Sequence, residues 1–316
     1  MQSGAVGVFG VCALLIALWV GSAALSGCKR GADGGKPRVV VTTTMLADVV
    51  REVGGERVEV QGLLKPGTDP HTYRMVPDDV KKIARSRMVV MNGLGLEGKM
   101  AEGMSSVGDA KVVEVGKGLK ALDDAGHPGN PDPHIWFDVA LWVQVVEEVR
   151  AALTEIDPQG EAYYQERAQR YLKQLEALEG RVRKGVACIP APHRKLVTSH
   201  DAFQYFGKAY GVELRALQGV STEDAVSSAT MAAVVEYVRA HKLPAIFVES
   251  SVSPKAIEAI TRETGVKIGG ELYSDSVGPS GSGADTYIGM VDHNVGVLVE
   301  ALGGVTMAQC IDGAAK

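Results

Sequence analysis

Two rhythms of apolar positions alternate along most of this chain. Short strand-like runs, the first of them β-branched and continuous, stand at 38–43, 57–60, 88–91 and 111–115, and again at 195–198, 212–214, 245–249 and 266–269. Such runs, rich in Val and Ile, are what strands buried on both faces of a parallel sheet require. Between them, apolar residues recur at three- and four-residue steps, which predicts helices over 46–53, from Pro77, and over 138–156, 227–240, 254–264 and 286–302. Strand and helix in alternation predict an α/β fold with parallel sheets. The longest helical pattern starts at Asp157-Pro158 and sets Tyr164, Ala168, Tyr171, Leu175, Leu178, Val182 and Val186 on one face. Asp157 reads there as an N-cap and Pro158 as the first helical residue. The strand pattern restarts after it, so this helix is expected to link two lobes. The predicted organisation is an N-terminal α/β lobe over 38–156, a linking helix over 157–187 and a C-terminal α/β lobe over 188–316.

The first residues follow neither rhythm. Val6 to Val20 is almost wholly apolar and gives way to small residues ending in Leu25-Ser26-Gly27-Cys28. An apolar run that ends so reads as a secretory signal. The last four residues resemble the bacterial lipobox, in which the Cys is diacylated and becomes the new N-terminus. Residues 1–27 are therefore expected to be a lipoprotein signal peptide, Cys28 the lipidated residue and 28–37 a flexible tether. Two acyl chains give stable anchoring, on the outer face of the cytoplasmic membrane or in the periplasm. The flanking charge runs the other way: no Lys or Arg precedes the run, and Lys29-Arg30 follow it. An uncleaved anchor helix is the alternative that charge alone would favour. In an exported chain Cys188 and Cys310 could pair or remain two buried thiols, and the sequence leaves both open.

A formal net charge of −5 leaves no basic footprint, which argues against nucleic acid as a partner. The chemistry-bearing residues are few. Asp-Pro-His occurs at 69–71 and again at 132–134, a third histidine sits in Ser199-His200-Asp201, and Asp275 stands in a loop after the last predicted strand. Proline before each of the first two histidines stiffens the backbone from which the imidazole projects. His71, His134, His200 and Asp275 together read as one divalent-metal site, since imidazole and carboxylate suit Zn²⁺ and its first-row neighbours. Two other motifs carry less. Gly93-Leu94-Gly95-Leu96-Glu97-Gly98 matches a dinucleotide fingerprint but does not follow the first strand of its unit. Gly278 to Thr286 is Gly-rich without the Lys-Ser/Thr of a phosphate loop, and is expected to be a mobile surface loop. The lone His127 is expected to be solvated. A zinc hydrolase would need an open coordination position and a base; Glu249, at a strand end, is the one candidate base, and the blander role for it is to support a ligand or bond to backbone. An adhesin with a structural metal is the other alternative.

The sequence resembles the solute-binding lipoproteins of bacterial zinc, manganese and iron importers of the ABC type, in particular their TroA-like group. The likeness rests on Val41-Thr42-Thr43, Gly67-Thr68-Asp69-Pro70-His71-Thr72-Tyr73, Asn92-Gly93 with Leu96-Glu97, and Asp132-Pro133-His134-Ile135-Trp136. It continues through Ser199-His200-Asp201-Ala202-Phe203-Gln204-Tyr205-Phe206, Gln218-Gly219-Val220-Ser221, Phe247-Val248-Glu249-Ser250 and Gly270-Glu271-Leu272-Tyr273-Ser274-Asp275. The resemblance implies a two-lobed receptor, not an enzyme, with one long helix joining the lobes and Zn²⁺ or Mn²⁺ (with Fe²⁺ a third option) held as transported ligand in the cleft. It implies His71, His134, His200 and Asp275 as ligands, an ABC permease and its ATPase as partners, membrane attachment through the lipid anchor, and a monomer. Manganese-preferring relatives tend to carry Glu at the position of His200, and zinc-dedicated ones a His-rich loop where this chain has only His127. The metal is left open between zinc and manganese.

Overall fold

The computed structural model describes residues 1, 4, 35–104, 107–124 and 126–313. The predicted signal segment and Cys28 lie outside the described residues. Among the described residues no helix is long and apolar enough to cross a membrane.

The chain from Lys36 forms one compact unit. Its first half runs β1 (Arg38–Val41), α1 (Thr44–Gly54), β2 (Glu59–Gly62), α2 (Pro77–Ala84), β3 (Met88–Met91), α3 (Gly98–Met104) and β4 (Lys111–Glu114). The four strands make one parallel sheet in the order β2-β1-β3-β4. Val39, Val40 and Val41 are fully buried, as a central strand covered on both faces demands. β1 stops two residues short of the predicted end, because the Thr43 hydroxyl accepts from Leu46 N and caps α1. β2 starts two residues late, since Gly55–Arg57 forms a 3-10 turn first.

Two long helices follow, α4 (Val139–Ile156) and α5 (Glu161–Cys188). At 28 residues α5 is roughly 42 Å long, at ~1.5 Å per residue. Its predicted apolar face, Tyr164 through Val186, is buried without exception. Its start differs from expectation. Residues 158–160 form a 3-10 turn first, with Asp157 at its N-cap position and Pro158 next, but the Asp157 side chain makes no capping bond. The Asp157 carboxylate instead accepts from Arg57 Nε and Nη2 at 2.7 and 2.9 Å and from the Tyr164 hydroxyl at 2.6 Å. A bidentate charge-assisted pair outweighs one capping bond.

The second half comprises β5 (Lys195–Thr198), α6 (Gln204–Tyr210), β6 (Glu213–Ala216), α7 (Ser228–His241), β7 (Ala245–Glu249), α8 (Lys255–Thr264), β8 (Lys267–Leu272), α9 (Tyr287–Leu298) and α10 (Met307–Gly313). Its ladders are two parallel pairs, β5-β6 and β7-β8, with β5 and β7 as neighbours. β8 runs three residues past its predicted end, through a register shift opposite Ile246–Val248. Glycine is needed there: Gly270 takes φ +148°, and a Cβ on Gly269 would lie 2.6 Å from Phe247. That bulge aims the segment that follows, which carries Asp275. The Gly-rich 278–286 loop is closed on itself, with Gly278 N donating to Ala284 O and Gly281 N to Asp285. Cys188 at the end of α5 and Cys310 on α10 form a disulfide.

One apolar cluster runs through both halves, from Val39 on β1 to Leu302 beyond α9. Two aromatic stacks cross between the halves within it: Phe137 on Phe203 at 4.3 Å and Trp142 on Tyr287 at 4.8 Å.

Candidate metal centre

Each of the four predicted ligands sits just beyond the carboxyl end of a strand or in a loop leading from one, where α/β sheets hold their ligands. His71 comes from the loop after β2, His134 from the loop after β4, His200 from the turn after β5 and Asp275 from the loop after β8. The structure brings these four together. One side-chain donor atom from each lies within 4.8 Å of the others, and all four residues are buried. His134 Nε2 stands 3.3 Å from His71 Nε2 and 3.4 Å from His200 Nε2. Asp275 Oδ1 lies 3.5 Å from His134 Nε2, 3.5 Å from His200 Nε2 and 3.8 Å from His71 Nε2. A cation bonded at ~2.0–2.1 Å to four tetrahedral donors would set them about 3.4 Å apart. The observed separations are close to those edges. Asp275 Oδ1 is fully buried and has no hydrogen-bond donor among the described residues, which is costly unless a cation answers it.

The polar groups behind the donors fix their directions. Asp132 Oδ1 accepts from His134 N at 2.9 Å and stands 2.7 Å from its Nδ1. Glu249 Oε1 accepts from Ser199 N and His200 N at 2.7 and 2.9 Å, and its Oε2 lies 2.5 Å from His200 Nδ1. A carboxylate on Nδ1 holds the proton there and turns the Nε2 lone pair to the centre. Ser251 Oγ donates to Asp275 Oδ2 at 2.6 Å, which leaves Oδ1 free to face the histidines. Glu249 thus serves as a support. The contact a general base needs is taken up by His200 and the backbone.

Electrostatics follow from these neighbours. Burial pulls the His134 pKa down, but the Asp132 charge and hydrogen bond, with Asp275 added, outweigh it and carry it to about 9. Burial likewise opposes the charged form of His200, and the carboxylates of Glu249 and Asp275 win, raising it well above its ordinary value. Burial disfavours the Asp275 carboxylate too, yet His200 and then His134 hold it well below the usual range. His71 goes the other way, pushed down to about 3 by burial, which Asp275 only partly offsets.

Side chains that the sequence gave no role tie the ligand loops together. Asn92 Nδ2 donates to Pro133 O at 2.9 Å. Tyr205 OH donates to Asp132 O at 2.7 Å and accepts from Leu122 N. Trp136 Nε1 donates to Ser274 O at 2.8 Å, and Tyr287 OH to Trp136 O. The false dinucleotide fingerprint is explained by Glu97. Its carboxylate accepts from Asn92 N, Gly93 N and the Thr42 hydroxyl, so the turn where a phosphate would sit is filled from within. His127 is largely exposed beside Asp124, apart from the cluster.

The family described as zinc-uptake complex component A, periplasmic (ZnuA), matches residues 39–301. The zinc-binding protein TroA of Treponema pallidum (strain Nichols) is 40% identical over 302 residues, covering 92% of this chain and 97% of its own. The manganese-binding lipoprotein MntA of Bacillus subtilis (strain 168) is 37% identical over 301 residues, covering 92% and 98%. The solved structure of periplasmic zinc-binding TroA from Treponema pallidum superposes with a TM-score of 0.82, over 85% of this chain and 99% of that one. A match through nearly all the described residues, in sequence and in fold alike, makes this chain a member of the ZnuA family.

Proposed function

We propose that this protein is the extracytoplasmic substrate-binding component of an ABC-type metal importer, which captures Zn²⁺ or Mn²⁺ and delivers it to a membrane permease served by an ATPase. His71, His134 and His200 bind through Nε2 and Asp275 through Oδ1. The observation that carries this is the buried Asp275 Oδ1, without a hydrogen-bond donor among the described residues and faced by three Nε2 atoms at 3.5–3.8 Å. Relatives named for zinc and for manganese support a site that takes either ion. Two lobes, 38–156 and 188–316, hold the ion between them, joined by the helix over 157–187. Signal cleavage before Cys28 and acylation of Cys28 tether the chain, as a monomer, to the outer face of the membrane.

Native mass spectrometry of protein purified without added metal, followed by competition titration with Zn²⁺ and Mn²⁺, tests the reading. One ion per chain is expected, lost in both His134→Ala and Asp275→Ala. Full occupancy in both variants would overturn the assignment. Mass of the N-terminal peptide from membranes tests the acylation of Cys28 separately.

A further inference from the structure

The four ligands are unequally held. His134 and His200 each have a carboxylate on Nδ1, and Asp275 has the Ser251 hydroxyl on its second oxygen. His71 has no hydrogen-bond partner on its ring nitrogens among the described residues other than the cluster itself. It lines the cavity of about 730 Å³ that opens beside the site, and its loop, Leu63 to Val76, has no helix or strand. The two Asp-Pro-His triplets also differ. Asp132 touches its histidine's ring, whereas Asp69 Oδ1 reaches only His71 N, at 2.9 Å. The other oxygen of Asp69 accepts from the neighbouring Thr72 Oγ1 at 3.1 Å and, more closely, from Thr222 Oγ1 at 2.6 Å.

Thr222 belongs to the second half. Gln218 Nε2 donates to Thr222 O and Asp224 O, Gln218 N donates to Ser199 O, and Asp201 N donates to Gly219 O. The chain His71–Asp69–Thr222–Gln218–Ser199 therefore joins the solvent-side ligand of one half to the His200 turn of the other. The Lys99–Glu223 ion pair crosses between the halves one residue further on. This gives the Gln218-Gly219-Val220-Ser221 marker a physical task.

We propose that the Thr222 hydroxyl, acting through Asp69, is a positioning residue that latches His71 over the bound ion and sets the rate at which the ion leaves. It rests on the metal-site reading above. The hydrogen bond is charge-assisted, so its loss acts on the closed state and appears in dissociation.

The test is the dissociation rate of Zn²⁺ and of Mn²⁺ from the mature chain, followed by stopped-flow chelator capture. Thr222→Val keeps the side-chain shape and removes the hydroxyl. It is expected to speed dissociation about tenfold, equivalent to about 1.4 kcal/mol, with association unchanged and the Tm of the metal-free protein unmoved. Thr222→Ser should restore the slow rate. Should Thr222→Val not fold, Glu223→Gln loosens the same segment from outside and should speed dissociation two- to threefold, roughly as a weak exposed pair allows. An unchanged rate in the variant measured, or equal acceleration by Val and Ser, overturns the latch while binding lost in Asp275→Ala leaves the site standing. Metal retained in Asp275→Ala would remove the site and the latch together.

Discussion

Replacing Glu249 with Gln isolates the support behind His200. Glu249 is 2% exposed and uses both oxygens, one on the Ser199 and His200 N–H groups and one on His200 Nδ1. Glutamine has the same shape but only one acceptor oxygen. If that oxygen faces the two backbone donors, the amide NH₂ meets His200 Nδ1. The imidazole must then carry its proton on Nε2, the atom aimed at the site. If the amide is turned, two buried N–H groups are left opposite a donor, at about 1–3 kcal/mol each. The first outcome strikes metal binding and the second stability. Loss of such an outer partner costs about 10–100-fold in metal affinity, or about 1.4–2.8 kcal/mol. Competition titration against a chelator of known affinity, with the Tm of the metal-free protein recorded beside it, reads both. Affinity within twofold of the unaltered protein, at unchanged Tm, would refute the reasoning. A hydrolase would give a different pattern, with metal held normally and turnover of an ester or peptide panel abolished.

With His134 raised to about 9 and His200 raised well above its ordinary value by their carboxylates, protons compete with the ion for the Nε2 atoms of the metal-free site. Calorimetry in buffers of different ionisation enthalpy should detect protons released on binding, with affinity falling on acidification; equal affinity at pH 7.5 and 5.5 would count against the site. Because both folded pKa values lie above the unfolded one, their stabilisation of the metal-free fold is complete below pH 6.5 and is lost as pH rises, for His134 through about 9. Its Tm should fall across that window. Cutting the Cys188–Cys310 bridge, which spans 122 residues of sequence, removes up to about 5 kcal/mol by loop entropy, so Cys188→Ser/Cys310→Ser should lower Tm by roughly 5–15 °C. An unmoved Tm would argue that the unfolded chain gains little freedom without the bridge. Tyr205→Phe strips a hydroxyl shared by Asp132 O and Leu122 N; a loss of about 1–3 kcal/mol in denaturant titration is expected, with metal binding weakened as the Asp132 support loosens.

Which parts of this molecule were legible from residues alone follows from what each part is held by. β3, β5 and β7 begin and end where the apolar runs do, because strands buried on both faces carry their own boundary signal. β2, β6 and β8 are partly exposed, lack that signal, and lie two to three residues from expectation at one end or both. α3, α6 and α10 carry no predicted helix. Gly98 and Gly103 break the pattern of α3, and each of the three is only seven residues long, too short for an apolar stripe to declare itself. Asp157 misled because a local cap preference lost to Arg57, 100 residues away. The four donors stood out because two share a rare triplet and His-Asp chemistry is sparse in this chain. Their supports were only half legible: Glu249 stood out as a strand-end acid with a supporting role open to it, but nothing local named His200, 49 residues away, as what it supports. The disulfide was undecidable for the same reason, since composition carries no distance.

The shape of the core bears on how an ion could be exchanged. Two lobes swinging apart about a long helix would have to separate the apolar surfaces they share. Here those surfaces include the Phe137–Phe203 and Trp142–Tyr287 stacks, inside a cluster that also takes in the buried face of α5. Exposing four such aromatic side chains would cost about 1.5–3 kcal/mol each, a sum comparable to the whole stability of many domains, about 5–15 kcal/mol. Tyr205, Trp136 and Tyr287 add hydrogen bonds across the same joint. A wide hinge is therefore the expensive route. The cheap one lies at the open side, where His71 hangs from a loop without regular structure and is tied to the other half through Thr222 and, at Gly67 N, through the Ser276 hydroxyl. On the reading proposed above, three donors backed by their own partners and one on a loop would let the same site bind its ion and still surrender it.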